Sequence, residues 1–109
     1  MIPDEELESV RIRWSQACAG SDVGLWWMAD DVRQLQPGAS EEEVRLETLR
    51  ALKPLLSSES VRAVSLLPGG AYQVWEGSVN EQLARIDREW ATLGRPPDIG
   101  EIAWFIGAR

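Results

Sequence analysis

Histidine is missing from this chain altogether, and cysteine occurs once, as Cys18. Without an imidazole there is no Ser-His-Asp or Cys-His nucleophilic system, no histidine general base and none of the usual nitrogen ligands of zinc and iron. A single cysteine forms neither an internal disulfide nor a thiolate metal site. Phosphate-binding signatures are lacking too: Pro68-Gly69-Gly70 has no Lys-Ser/Thr after it, and Asp98-Ile99-Gly100 offers one glycine rather than a fingerprint. A carboxylate-only magnesium site built from Asp30 and Asp31, or from Glu41 to Glu43, fails on geometry, because consecutive residues on a helix diverge by about 100°. The sequence therefore assigns no catalytic residue, metal ligand or cofactor, and a non-enzymatic protein is expected.

Basic residues are also scarce. Eleven Lys and Arg face 18 Asp and Glu, for a net charge of −7 over 109 residues. The imbalance is spread out: residues 1–24 carry five acids and two bases, 25–75 seven and five, and 76–109 six and four. There is neither a basic arm nor a disordered acidic tail. No charged-then-apolar leader opens the chain and no apolar run approaches the length of a membrane span, so a cytoplasmic protein without a membrane partner is expected. The length suits a single domain with one core.

What the chain has in excess is tryptophan, six in all. Each carries a large apolar area that must be covered. Helix one is expected from Asp4 to Ala19, with Asp4, Glu5 and Glu6 in the first turn where the helix dipole favours negative charge. Leu7, Val10, Trp14, Ala17 and Cys18 form its stripe, which makes Cys18 a buried small hydrophobe. Helix two is expected from about Asp22 to Leu35, with Leu25, Met28, Ala29, Val32 and Leu35 on its core face. Trp27 lies nearly opposite, beside Asp30, Asp31 and Gln34, and needs a cover or a partner.

Helix three opens with a capping box, Ser40 to Glu43, and carries Val44, Leu49, Leu52, Leu55 and Leu56 inward. Its outward face is expected to show Glu43, Glu47 and Arg50, and Pro54 should kink it or end its regular part near Lys53. Val61 to Leu67 and Ala71 to Trp75 read as a β-hairpin turning at Pro68-Gly69-Gly70. A second capping box, Ser78 to Glu81, starts a helix with Val79, Leu83, Ile86, Trp90 and Leu93 on one face and Gly94 as its stop. Asp98 and Glu101 resemble a third cap leading into Ile99 to Ile106, an apolar piece expected to be helical, buried, and placed over Trp27.

Three helices followed by a hairpin predict an α+β, mostly helical, winged helix-turn-helix-like fold. Residues 1–77 form its core, and 78–109 a C-terminal extension of further helices within the same domain. That layout points to nucleic acid, but the reading helix begins Ser40-Glu41-Glu42-Glu43, which phosphate repels. Arg45, Arg50 and Lys53 stand against Glu41, Glu42, Glu43 and Glu47, and the hairpin adds Arg62 alone. A DNA-binding regulator acting as a homodimer is thus the second reading. The first is a protein-binding module whose partner-binding residues are Trp27, Asp30, Asp31, Glu41, Glu42, Glu43 and Glu47, an acidic surface suited to a basic partner.

The run Leu25-Trp26-Trp27-Met28-Ala29-Asp30-Asp31-Val32, the step Leu52-Lys53-Pro54-Leu55-Leu56 and the ending Asp98-Ile99-Gly100-Glu101-Ile102-Ala103-Trp104-Phe105 together resemble a family of small, acidic, uncharacterised bacterial proteins. Some of these are similar to the immunity proteins encoded beside secreted polymorphic toxins. The likeness spans most of the chain. It implies an inhibitor that occludes a basic, toxin-like protein. Its motifs are apolar and structural, and they carry no functional residue across.

Overall fold

The computed structural model describes residues 1–107. Four helices, α1 (Asp4–Gly20), α2 (Leu25–Leu35), α3 (Glu41–Ser57) and α4 (Val79–Leu93), alternate with short strands β1 (Val23–Gly24), β2 (Val61–Leu66), β3 (Tyr72–Val74) and β4 (Trp104–Gly107). The strands form one antiparallel sheet in the order β1-β4-β2-β3. The architecture is α+β and mostly helical, as expected. No described helix is long and apolar enough to cross a membrane.

The local signals act as the sequence predicts over most of the chain. Both capping boxes form, with Ser40 and Glu43 bonding each other's backbone N–H at 3.1 Å and Ser78 and Glu81 doing the same at the start of α4. Those backbone bonds hold the Glu43 and Glu81 carboxyls below the ordinary range. Gly94 ends α4 in the left-handed conformation at φ 65°. The hairpin turns at Pro68–Gly70, where both glycines sit at φ 87°.

Three expectations are corrected. Helix two begins at Leu25 rather than near Asp22, because Val23–Gly24 pairs with β4 as β1, and its Leu35 is 38% exposed rather than on the core face. Pro54 does not end α3, which runs on to Ser57. Proline leaves the Arg50 carbonyl without its helical N–H, and Arg11 of α1 supplies a substitute. Its Nη2 donates to Arg50 O at 3.1 Å and its Nε to Ala51 O at 3.1 Å. The third correction is larger. The apolar ending is not a helix; Trp104–Gly107 is β4, inserted between β1 and β2. The segment resembling a helix cap is a turn in which Asp98 N–H donates to Glu101 Oε1 at 2.7 Å. Arg95 grips both Glu101 oxygens at 2.8 Å and, with Asp98 N–H, holds that carboxyl at about 2. The chain then tightens around Ile102, whose φ of 69° is unusual for a β-branched residue, with Ala103 N–H donating to Glu101 O at 2.8 Å. That turn aims Trp104 and Phe105 along the sheet.

Side chains alternate across the strands. Val23, Ala63, Trp75 and Phe105 face the helices and are buried with Leu7, Val10, Trp14, Met28, Leu52, Ile86 and Trp90 in a single core. Cys18 belongs to this core, and burial pushes its thiol up to about 12, so it stays protonated and unreactive. The opposite face carries Val64, Trp104, Val74, Leu66 and Tyr72. Leu66, Tyr72 and Val74 there are 46, 43 and 44% exposed.

Candidate partner-binding surface

The acids of α2 and α3 are less free than their sequence suggests. Asp31 accepts from the indole Nε1 of Trp14 at 2.8 Å and from Arg13 at 2.7 Å. Glu41 accepts from Trp90 Nε1 at 2.8 Å and from Arg33 at 3.0 Å. Both tryptophans are essentially inaccessible. Each of these carboxylates therefore closes the polar end of a core aromatic, a requirement of burying indole N–H groups.

Arg33 also meets Asp30 at 2.5 Å, so it ties Asp30 on α2 to Glu41 on α3. Glu42 reaches Arg45 only at 4.0 Å and is largely exposed. Glu43 is occupied in its capping box. Glu47 was expected on the outward face and is not there. It is 8% exposed, accepting from Ile2 N–H at 2.9 Å and Arg50 Nε at 2.8 Å. It clamps the buried N-terminal Ile2 to α3, helped by a bond from Arg50 to the Ile2 carbonyl. Solvent thus meets Asp30, Glu42 and Glu43, and Glu41 in part.

A different feature stands out at the β1 end of the sheet. Trp26 and Trp27 from α2 and Trp104 from β4 line a cleft of about 310 Å³, floored by Ala17, Val23 and Gly24 and edged by Ser21 and Asp22. All three tryptophans are half-buried. Trp27 shares this cleft with Trp104, so the chain's ending comes near it as a strand rather than as a helix. Gly24 is required here, because a Cβ at that position would stand 2.6 Å from the Trp26 indole nitrogen. That nitrogen is the single buried side-chain polar atom without a hydrogen-bond partner among the described residues. The sequence places the chain's ending, with Trp104, over Trp27, but as a helix rather than a strand, and it does not single out Trp26.

Two other clefts occur, one of about 490 Å³ with a mixed apolar and polar lining between the ends of α3, the hairpin and the start of α4, and one of about 460 Å³ with a mainly polar lining between α1 and the end of α3. Among the described residues no three Asp, Glu or Cys side chains converge as a metal site would require. Comparison with protein-family models, with curated proteins and with solved structures finds no match to this chain.

Proposed function

We propose that the protein is a non-enzymatic binding module that engages another, basic protein, in the manner of an immunity-type inhibitor that occludes a toxin. The observation that carries this reading is the tryptophan cleft. Partly exposed Trp26, Trp27 and Trp104, gathered around one cleft, have the aromatic composition of a binding hot spot. In this reading the cleft anchors the partner and supplies most of the affinity. Asp30, Glu42 and the exposed parts of Glu41 and Glu43 lie on the neighbouring elements and steer a basic surface toward it. Asp31 and Glu47 contribute by holding Trp14 and the N-terminus in place.

The alternative is a winged-helix regulator on DNA, with α1 to α3 as the three helices, the β2–β3 hairpin as the wing and β4 as an addition to that plan. The charge pairing disfavours it. On α3, Arg45 is held by Asp87 at 2.7 Å and Arg50 by Glu47 at 2.8 Å. Phosphate binding would have to displace these carboxylates. A gel-shift titration on random duplex DNA in about 50 mM salt gives DNA its best chance, since screening is weak there. The expected result is no shift beyond that of an unrelated acidic protein. Salt-sensitive micromolar binding would overturn the protein-binding reading in favour of the regulator.

A further inference from the structure

Strand β3 is an edge of the sheet, with no described strand on its outer side. The direction of its backbone groups follows from the ladder. Trp75 N–H donates to Ala63 O and Leu67 N–H donates to Ala71 O, with Ser65 opposite Gln73 between them. Residues 71, 73 and 75 therefore turn their N–H and C=O groups toward β2. Tyr72 and Val74 turn theirs outward, unpaired.

Natural edges of this kind are guarded by charge, proline, a bulge or very short length. Ala71-Tyr72-Gln73-Val74-Trp75 carries no charge, proline or bulge, and the three-residue length of β3 is the one guard it has. All three residues of the strand are exposed. We infer that this edge pairs with the same edge of a second copy of the chain, antiparallel and centred on Gln73, joining two four-stranded sheets across a two-fold axis.

The register is self-consistent. With Gln73 opposite its own symmetry mate, Tyr72 of each copy faces Val74 of the other, and these are the two residues whose backbone groups point outward. Each such pair exchanges both backbone hydrogen bonds. Their side chains also meet on the open face of the sheet, an aromatic against a β-branched residue, which is a favourable cross-strand pair. Along the strand the next charged residue, Glu76, falls opposite Gly70 of the other copy rather than opposite another acid, while Asp22 lies against the Tyr72 phenol of its own copy. A second copy is thus the occupant that satisfies every outward backbone group of β3 with no acid opposite an acid along the strand. The contact is isologous and closed, so it ends at a dimer.

Sedimentation velocity across a concentration series reads the association directly. The wild type is expected to move from monomer to dimer as concentration rises. Val74→Lys and Tyr72→Lys, each confirmed folded by circular dichroism, should raise the midpoint by about tenfold or more, because lysine on an edge opposes pairing. A second variant fixes the register. Gln73→Cys places two thiols in a non-hydrogen-bonded pair, where Cβ atoms are about 4.5–5.5 Å apart and near disulfide range. Mild oxidation should link it into a dimer, whereas Glu76→Cys should remain largely unlinked. A wild type that stays monomeric throughout, with Gln73→Cys unlinked, would overturn the inference. So would a dimer indifferent to both lysine variants in which Gln73→Cys and Glu76→Cys link equally.

Discussion

Truncation after Pro97 should unfold the protein. The removed segment contains β4, which is hydrogen-bonded to β1 on one side and β2 on the other. Its loss leaves both neighbours with unpaired backbone groups and opens the core over Phe105, which is fully buried between Ala63 and Val23. A milder version isolates the packing contribution: Phe105→Ala is expected to cost about 3–5 kcal/mol, the range for deleting a buried aromatic. That is a large share of the total stability of a domain this size. Urea unfolding followed by tryptophan emission measures both. A truncated chain with wild-type thermal stability would mean that the ending is an appendage rather than the middle of the sheet.

The second large effect concerns Asp31 and Glu41, which as helix-surface acids would be worth only tenths of a kcal/mol. Here each bonds the indole N–H of an inaccessible tryptophan at 2.8 Å. Removing the carboxylate leaves that N–H buried and unsatisfied, at about 1–3 kcal/mol each. The two share no partner, so Asp31→Ala with Glu41→Ala is expected to lose the sum, about 2–6 kcal/mol. Glu42→Ala, on an exposed side chain, should change stability by less than about 0.5 kcal/mol. Chemical denaturation of the three variants decides the matter. Equal small losses at all three positions would show that the indole bonds contribute nothing net.

These two results mark where the sequence could be read and where it could not. The helices announced themselves through periodicity and caps: Ser40-to-Glu43, Ser78-to-Glu81 and the stop at Gly94 all act locally, within one turn. The hairpin was legible for the same reason, through Pro68-Gly69-Gly70. Strand β4 was not, because Ile99 to Ile106 is apolar on every side and periodicity cannot separate a central strand from a buried helix. Its partners, β1 and β2, lie roughly 80 and 40 residues earlier, a distance no local signal spans. Pro54 does not end α3, and Arg11 from another helix, which no local signal shows, donates to the carbonyl that proline leaves open.

The candidate surface divides in the same way. Trp27 could be seen as an outward tryptophan from helix geometry alone, and its half-burial agrees. Trp104 could be placed near Trp27 as part of an apolar ending that needs cover, but not as a strand, and Trp26 joins them only through the pairing of Gly24 with Trp104. The acids were legible as charge but not as partners, since Trp14 and Trp90, which engage Asp31 and Glu41, come from other helices. Glu47 shows the limit most plainly. Its helical position predicts exposure, and the docking of Ile2 buries it.

The central claim is that the tryptophan cleft and the exposed acids beside it recognise a basic protein. Its most direct measurement is quantitative capture from a lysate of the source organism by immobilised protein, comparing wild type with Trp104→Ala, Glu42→Lys and the pair Asp30→Lys/Glu42→Lys, each checked for folding. The account predicts one basic protein retained by the wild type. Trp104→Ala should lose it, at about 2 kcal/mol or more for a hot-spot aromatic, and the lysine variants should capture it more slowly, with the difference shrinking as salt rises. Equal retention by all four proteins at every salt concentration would contradict the account.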